Sequence, residues 1–249
     1  MDRYTSGAYA ERNPDWHEGD AEHKAAALAA LIRYAGLEPR TVVDVGCGTG
    51  AVLDGLSRAL GAELPATSWE GWDPSPEAIA RASPRERPGL SFCCGDFLAS
   101  ERRADLVVCA DVVEHVQDDL GWLRGLREHA NDFVLRIPLD LSVLDVARPG
   151  RMLALRRDQG HLHAYTRERA AALLEDAGLR VEVERYDRVP PPRDTVRRLL
   201  VDGVRSTLVR VAPHRAVRWL GGFSWLVVAR RRRSVATGDE TWRGPPGPR

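Results

Sequence analysis

Hydrophobic and polar residues alternate in two different patterns along the chain. Short apolar runs recur, and in the intervals between them apolar residues return at every third or fourth position. The first pattern is typical of buried β-strands and the second of amphipathic helices. The apolar runs predict strands at residues 42–45, 68–72, 90–94, 106–110, 133–137, 181–186 and 223–229.

Helical spacing fills most of the intervals between these strands. The predicted helices cover residues 20–36, 51–60, 76–82, 120–129 and 166–177. Gly36 is placed to end the first helix, and Thr166 to cap the start of the last. Strand and helix alternate as far as residue 137, which predicts an α/β fold with a doubly wound, mostly parallel sheet. Such sheets bind ligands beyond the carboxyl ends of their strands, so residues that follow the strands are the candidates for a site.

Several segments interrupt or extend this alternation. Residues 139–160 and 190–220 are predicted to be inserts, the first of them lying over the site. Residues 1–19 are predicted to form an N-terminal lid, and residues 234–249, rich in glycine and proline, a disordered tail. The body of the chain, residues 20–233, is predicted to be one domain.

Two of these segments carry side chains that suggest a covering role. Residues 193–218 place apolar side chains on one helical face and arginines elsewhere, which is typical of a covering helix or a dimer face. Weak interfacial contact with a membrane is an alternative for this stretch. Trp16 is a candidate for closing the lid, because exclusion of water favours group transfer; a surface contact with the core is its alternative.

Composition narrows the class of protein. Hydrophobic residues make up 43% of the chain, charged residues 29%, and the formal net charge is zero. This balance is typical of a soluble globular protein and gives no overall field that favours nucleic acid, so no nucleic-acid partner is expected. The sequence shows no apolar run near the roughly 20 residues of a spanning helix and no signal-peptide pattern, and we expect a cytoplasmic location. The cysteines form no C-x-x-C pair, which argues against a zinc or disulfide framework.

A glycine-rich loop follows the first predicted strand. Residues 41–53 read T-V-V-D-V-G-C-G-T-G-A-V-L, and a predicted helix begins directly after the glycines. Such a loop brings backbone N–H groups to an anionic ligand at a helix N-terminus, and its G-x-G-x-x-A spacing would also fit a dinucleotide. Asp44 decides between these ligands, because a carboxylate at this point repels a diphosphate. S-adenosylmethionine, which carries an ammonium, a sulfonium and a carboxylate, suits the loop better.

Acidic residues also follow the later strands. Asp73, after the second strand, can accept hydrogen bonds from both hydroxyls of a ribose. Asp96 follows the third strand and can accept from an adenine amino group, while Phe97 beside it can cover the ring. The run Asp111-Val-Val-Glu-His115 follows the fourth strand and would lie beneath a reacting methyl group.

Taken together, these motifs resemble those of the class I S-adenosylmethionine-dependent methyltransferases over about residues 20–230. The segment G-H-L-H-A-Y-T at residues 160–166 resembles the corresponding segment in the bacterial branch that methylates small molecules. Several members of that branch act in glycan or natural-product pathways. The resemblance implies the strand order 3-2-1-4-5-7-6 with the last strand antiparallel, and S-adenosylmethionine as the cofactor. No Asn/Asp-Pro-Pro-Tyr/Phe run follows the fourth strand, which argues against nucleobase methylation.

The candidate site residues fall into two groups. The residues assigned to the cofactor are Asp44, Gly46, Cys47, Gly48, Gly50, Asp73, Pro74, Asp96, Phe97 and Asp111. The catalytic candidates are His115, His161 and His163. His115 suits a general base, with contact to the cofactor or the loop as its alternative role. His161 and His163 could face the acceptor or, with Asp158, hold a metal, but the sequence fixes no third ligand and no metal is assigned.

The function predicted from these features is methyl transfer from S-adenosylmethionine to a small molecule. The acceptor is expected to be a hydroxyl group of a glycan-related or natural-product intermediate. Transfer to nitrogen, and a module that binds the cofactor or a partner without catalysis, are the alternatives. An NAD-dependent oxidoreductase is disfavoured, because the chain contains no Tyr-x-x-x-Lys pair and Lys24 is its only lysine.

Overall fold

The computed structural model describes residue 16, residues 18–189, residue 203 and residues 207–232. The predicted tail at 234–249 lies outside the described residues. So do most of the predicted lid at 1–19 and the first half of the insert at 190–220.

The described strands form one mixed sheet. They are β1 (Thr41–Val45), β2 (Ser68–Asp73), β3 (Leu90–Cys94), β4 (Leu106–Ala110), β5 (Asp132–Pro138), β6 (Leu179–Asp187) and β7 (Ser224–Arg231). The sheet has seven strands in the order β3-β2-β1-β4-β5-β7-β6. The first five strands are parallel, and β7 runs antiparallel to β5 and β6. The predicted fold class and strand order are confirmed.

Helices connect most of these strands. They are α1 (Ala21–Tyr34), α2 (Ala51–Leu60), α3 (Pro76–Ala82), α4 (Asp119–Leu126), α5 (Val143–Val146), α6 (Arg151–Ala154), α7 (Arg167–Asp176) and α8 (Pro213–Leu220), with a π-helical turn at Leu155–Gln159. The hydroxyl of Thr166 accepts a hydrogen bond from the backbone N–H of Arg169 at the start of α7, as the sequence predicted. The helix predicted at 120–129 ends earlier, at Leu126, because its last residues form a tighter turn in which His129 N–H donates to the Leu126 carbonyl.

Hydrophobic cores lie on both faces of the sheet, because successive residues of a strand point to opposite sides. In β4, Val107 packs in the cluster that contains Leu123 of α4, while Val108 packs in the cluster that contains Leu28 of α1. Both valines are fully buried. Burial on both sides explains why the sequence of β4 is continuously apolar and not alternating.

The predicted insert at 139–160 is joined to the body at its start. The backbone N–H of Leu139 donates to the Phe223 carbonyl at 2.9 Å, and that of Leu141 to the Tyr165 carbonyl at 3.1 Å. The insert therefore leaves the sheet directly beyond β5 and returns ahead of α7. Within the described part of the chain, no helix is both long enough and apolar enough to cross a membrane.

Candidate active site

A cleft of about 1110 Å³ opens at the carboxyl ends of β1, β2, β4 and β5. Of the residues assigned to the cofactor, those on the cleft wall are Gly46, Cys47, Gly48, Asp73, Pro74, Asp96, Phe97 and Asp111. Asp44 and Gly50 are not among the wall residues. Trp16 also lines the cleft, which is the position a lid residue would need.

Backbone hydrogen bonds and close packing set the shape of the glycine loop. The N–H groups of Gly46 and Cys47 donate to the Trp72 carbonyl, at 2.7 and 3.0 Å, and tie the loop to β2. Gly50 has φ +73°, and a Cβ there would lie 2.4 Å from a ring carbon of Phe92. Gly50 therefore serves packing beneath the loop, whereas a Cβ at Gly48 would meet only the Trp16 ring at 3.9 Å.

Asp73 holds the loop and the start of α3 at the same time. Its Oδ2 accepts from the backbone N–H of Gly48 at 2.9 Å, and its Oδ1 accepts from that of Ser75 at 2.8 Å. Burial raises the pKa of Asp73, and the two backbone donors oppose that rise. Each carboxylate oxygen can accept more than one hydrogen bond, so the carboxylate retains capacity for hydroxyl groups of a ligand.

Asp44 is a buried acid with unsatisfied hydrogen-bonding capacity. The residue is 2% exposed, and its Oδ1 has no hydrogen-bond partner among the described residues. Burial and the negative charge of Asp73 raise the pKa of Asp44 to about 7. A buried carboxylate is stabilised by positive charge nearby, so this end of the cleft fits the ammonium and sulfonium groups of the expected cofactor.

Aromatic rings meet at the ends of β2 and β3. The rings of Trp72 and Phe97 pack edge to face with centroids 5.7 Å apart, and both residues reach the cleft wall. Asp96 Oδ1 accepts from the backbone N–H of Leu98 at 2.9 Å and so begins the short helical turn that carries Phe97. Trp72 was not assigned by sequence. Its place directly before Asp73, at the end of a strand, is the signal that points to it.

A charged network forms part of the cleft wall, where Lys24, Asp111 and Arg136 meet. Arg136, in the middle of β5 and 5% exposed, donates to both carboxylate oxygens of Asp111 and to Asp187 at 3.2 Å. Lys24 Nζ lies 3.0 Å from Asp111, and His23 Nε2 lies 2.8 Å from Asp187. Burial alone would raise the pKa of Asp111, but Arg136 and Lys24 hold it below its ordinary value. Sequence reasoning missed Lys24 and Arg136, although an arginine within an apolar strand signals a buried ion pair.

Histidine and carboxylate side chains meet beyond β4 and β5. Nδ1 of His161 donates to Asp140 Oδ2 at 2.6 Å, and the His161 ring lies edge-on to the His115 ring with centroids 4.9 Å apart. Nε2 of His115 lies 3.8 Å from Glu114 Oε1. We call Glu114, His115 and His161 the acceptor-end cluster. All of its members and Asp140 lie on the cleft wall.

Backbone hydrogen bonds hold this cluster together. The carbonyl of Glu114 accepts from the N–H groups of Leu162 and His163, at 2.7 and 3.1 Å. The segment that carries His161 is thereby fixed to the turn that follows β4. Asp140, which comes just after β5, was not assigned by sequence, because nothing in the spacing indicates that it meets a residue in 160–166.

The environment of the acceptor-end cluster disfavours charge. Burial, followed by the charge of Asp111, raises the pKa of Glu114 well above its ordinary value. Burial, followed by the proximity of His161, lowers the pKa of His115 to about 4. Both shifts favour the uncharged forms of Glu114 and His115.

His163 and Asp158 do not join His161. Nε2 of His163 lies 3.3 Å from the carbonyl oxygen of Gln117, and its Nδ1 lies 3.7 Å from an Asp119 carboxylate oxygen. Asp158 forms a surface ion pair with Arg157. The structure thus groups different residues from those that the H-x-H spacing suggested for a metal.

Comparisons with known proteins agree with the architecture. A family model described as a methyltransferase domain matches residues 18–184. Trans-aconitate 2-methyltransferase of Mycobacterium marinum is 30% identical over 133 residues, which are 51% of this chain and 48% of that protein. The ubiquinone biosynthesis O-methyltransferase of Cereibacter sphaeroides is 34% identical over 107 residues, or 41% and 40% of the two chains. The chain thus spans about half the length, or less, of these curated relatives.

Solved structures share the fold. Magnesium protoporphyrin IX methyltransferase of Synechocystis with bound S-adenosylhomocysteine gives a TM-score of 0.57 at 15% identity, covering 84% of this chain and 83% of that one. The plantazolicin methyltransferase in complex with S-adenosylhomocysteine gives a TM-score of 0.54 at 18% identity, covering 91% and 89%. At such low identity these matches establish the fold alone.

Proposed function

This chain belongs to the class I S-adenosylmethionine-dependent methyltransferases, and we propose that it transfers a methyl group to a hydroxyl oxygen of a small molecule. The acceptor class that we infer is a glycan-related or natural-product intermediate. One observation carries the proposal: the cleft that contains the glycine loop also contains the acceptor-end cluster and Asp140. Groups that bind a cationic nucleoside and groups that handle a hydroxyl proton therefore share one space.

The residues at the glycine loop would bind and orient the cofactor. The N–H groups at the start of α2 suit its carboxylate, Asp73 its ribose, and the Asp44 charge its positive groups. When bound, S-adenosylmethionine supplies a methyl group that is already activated by the positive charge on sulfur. The protein has to align the acceptor oxygen with that group, exclude water and manage the hydroxyl proton.

The residues beyond β4 and β5 support an oxygen acceptor. A hydroxyl must lose its proton as the new bond forms, whereas a neutral amine attacks with its own lone pair. Asp140 orients His161 by binding its Nδ1 hydrogen, so the lone pair of the neutral ring is on Nε2. His115 and Glu114 complete the surroundings of that nitrogen. Such groups contribute roughly 10²- to 10⁴-fold to a reaction that requires proton transfer.

Transfer of a labelled methyl group tests the proposal. The protein is incubated with a small-molecule extract and S-adenosylmethionine that carries a ¹³C-labelled methyl group, and labelled products are detected by mass spectrometry and purified. Two-dimensional NMR then identifies the atom that bears the label. We expect the label on oxygen. Label on nitrogen or carbon would overturn the choice of acceptor atom.

Calorimetry separates this function from its alternatives. We expect S-adenosylmethionine and S-adenosylhomocysteine to bind and NADH not to bind, since Asp44 disfavours a diphosphate. Cofactor binding without labelled product in any extract would favour a non-catalytic binding module. Binding of NADH alone would contradict the cofactor assignment.

A further inference from the structure

Three side chains with metal-binding atoms converge at the acceptor end of the cleft. One ligand atom each from Glu114, His115 and His161 lie within 4.8 Å of one another. The members come from two separate parts of the chain, and the Glu114 carbonyl joins those parts through its bonds to Leu162 and His163. The backbone of Glu114 therefore fixes the spacing between its own carboxylate and the ring of His161.

The buried carboxylate of Glu114 is a second, independent observation that points to a bound cation. The residue is fully buried, and neither carboxylate oxygen has a hydrogen-bond partner among the described residues. Nε2 of His115 is 3.8 Å from Oε1, which is beyond hydrogen-bonding distance. A buried carboxylate in this position is costly unless it is neutralised, and a bound cation neutralises it. Glu114 is one of the residues that form the cleft wall.

The surroundings of His161 are those of a metal ligand. Histidine ligands usually donate their other ring N–H to a carboxylate or carbonyl, which fixes the tautomer and orients the ring. His161 does this through Asp140, with a distance of 2.6 Å from Nδ1 to Oδ2. Its Nε2 is then the nitrogen with the lone pair.

We propose that Glu114, His115 and His161 bind one divalent transition-metal ion, which in turn binds the hydroxyl oxygen of the acceptor. Two imidazoles and one carboxylate suit zinc, iron or cobalt and leave coordination positions open. Magnesium is disfavoured, because it prefers oxygen ligands. This inference rests on the proposed function and specifies its proton transfer: the lone pair of His161 Nε2 would bind the ion, and the metal-bound hydroxyl would release its proton to water instead of to that nitrogen.

The ion would act as a Lewis acid on the acceptor. A metal-bound hydroxyl loses its proton to water at lower pH than a free one. The resulting oxygen attacks the methyl carbon, an O–C bond forms as the C–S bond breaks, and the electron pair of that bond stays on sulfur. No net oxidation or reduction occurs. An acceptor with a second oxygen next to the hydroxyl would bind best, since it can fill two coordination positions.

Metal binding is measured directly, without any methyl acceptor. Tag-free protein, cleared of metal by a chelator, is titrated with Zn²⁺ by calorimetry and with Co²⁺ by absorption spectroscopy. We expect one equivalent to bind, and the Co²⁺ spectrum to lack a thiolate charge-transfer band. No binding of either ion at millimolar concentration, or a thiolate band from a cysteine, would overturn the proposal.

Variants identify the ligands. Glu114→Gln and His161→Asn should each weaken Zn²⁺ binding by at least about 100-fold, and Asp140→Asn by roughly 10- to 100-fold through its effect on His161. His214→Asn is the matched control, because His214 bonds to Tyr186 and lies away from the cleft wall. Its affinity should equal that of the wild type. Equal affinities for wild type and Glu114→Gln would contradict the assignment.

Further measurements distinguish a loss of metal binding from misfolding of the variant and from failure of the proposed function. Glu114→Gln should remain folded by circular dichroism, because the tether to Leu162 and His163 uses its backbone carbonyl. If the ion binds but label from the cofactor appears on nitrogen, the metal site stands and the oxygen acceptor fails. If label appears on oxygen and no ion binds, the function stands and the metal inference fails.

Discussion

Asp44 and Asp111 end neighbouring strands, yet their surroundings move their pKa values in opposite directions. Burial and Asp73 raise the pKa of Asp44 to about 7. Asp111 is partly buried, and Arg136 and Lys24 lower its pKa. At neutral pH, Asp111 is therefore ionised, while the carboxyl group of Asp44 is protonated in a large share of the molecules. We infer that a positively charged ligand next to Asp44 displaces that proton when it binds.

The raised pKa of Asp44 predicts how the variant Asp44→Asn changes stability. The pKa of Asp44 in the folded protein lies above the unfolded value of 3.8. The wild type therefore has the full stabilising contribution of protonated Asp44 below about pH 4 and loses that contribution as the pH rises through 7. The neutral amide has no such loss. Without cofactor, the variant should gain stability relative to wild type between pH 4 and 7, by up to about 4 kcal/mol.

Urea denaturation at a series of pH values measures this difference. The same variant should bind S-adenosylhomocysteine at least about tenfold more weakly at pH 8, because it lacks the charge that attracts the ligand ammonium. A stability difference that does not change with pH would contradict the raised pKa.

The site could be predicted from sequence where its residues directly follow a strand. Asp73, Asp96 and Asp111 were found in this way, and the structure brings them to one cleft. Lys24 and Asp140 were not found. Lys24 reaches the site from the first turn of α1 through its pair with Asp111. Asp140 does so through its hydrogen bond to His161, 21 residues further along the chain. Such pairings depend on how helices and inserts pack, which local patterns do not encode.

At the scale of elements, agreement is best where the core determines the structure. The bounds of α2, α3, β3 and β4 coincide with their sequence predictions. The insert at 139–160 contains four-residue helices that no periodicity reveals. Helices of that length are not stable alone, so their form depends on contacts with the rest of the molecule.

The turn between β1 and α2 is predicted to tolerate no side chain at Gly50. In Gly50→Ala the new methyl group would lie 2.4 Å from Phe92 and 3.1 Å from Ala82, at φ +73°. Left-handed strain and overpacking together should lower the free energy of unfolding by about 2–4 kcal/mol. Cofactor affinity should fall as well, since the loop has to move.

Gly36→Ala is the matched control for this prediction. Gly36 has φ +63° with no atom within 4 Å of an added Cβ, so only the backbone strain of roughly 1–2 kcal/mol applies. Urea denaturation and calorimetry with S-adenosylhomocysteine measure both variants. Equal losses of stability would show that Phe92 gives way and that packing beneath the loop is not limiting.

At the scale of the whole molecule, the network around Arg136 joins parts that are distant in sequence. Arg136 in β5 bonds to Asp111 after β4 and to Asp187 at the end of β6. His23 and Lys24 add α1 to the same network. The network thus connects the first helix with both halves of the sheet, and three of its members line the cleft.

Loss of Arg136 should therefore destabilise the protein strongly. Arg136→Met leaves Asp111 and Asp187, both partly buried, without the buried partner that they share, and such losses cost about 3–5 kcal/mol. Arg230→Met, which removes an exposed pair with Asp132 on the same sheet, should cost about 1 kcal/mol or less. Thermal and urea denaturation of both variants measure the contrast. Similar costs for the two would contradict a structural role for the buried network.

The position of β7 has a consequence for biosynthesis. This strand is synthesised after every other described strand, yet it lies between β5 and β6 and pairs with both. Until the ribosome has released residues 224–231, the nascent chain keeps two unsatisfied strand edges, which are the kind of surface that aggregates. Trp225, fully buried in the finished sheet, reaches its place only after β7 has been synthesised, so the unfinished sheet is open to aggregation until translation has passed this strand.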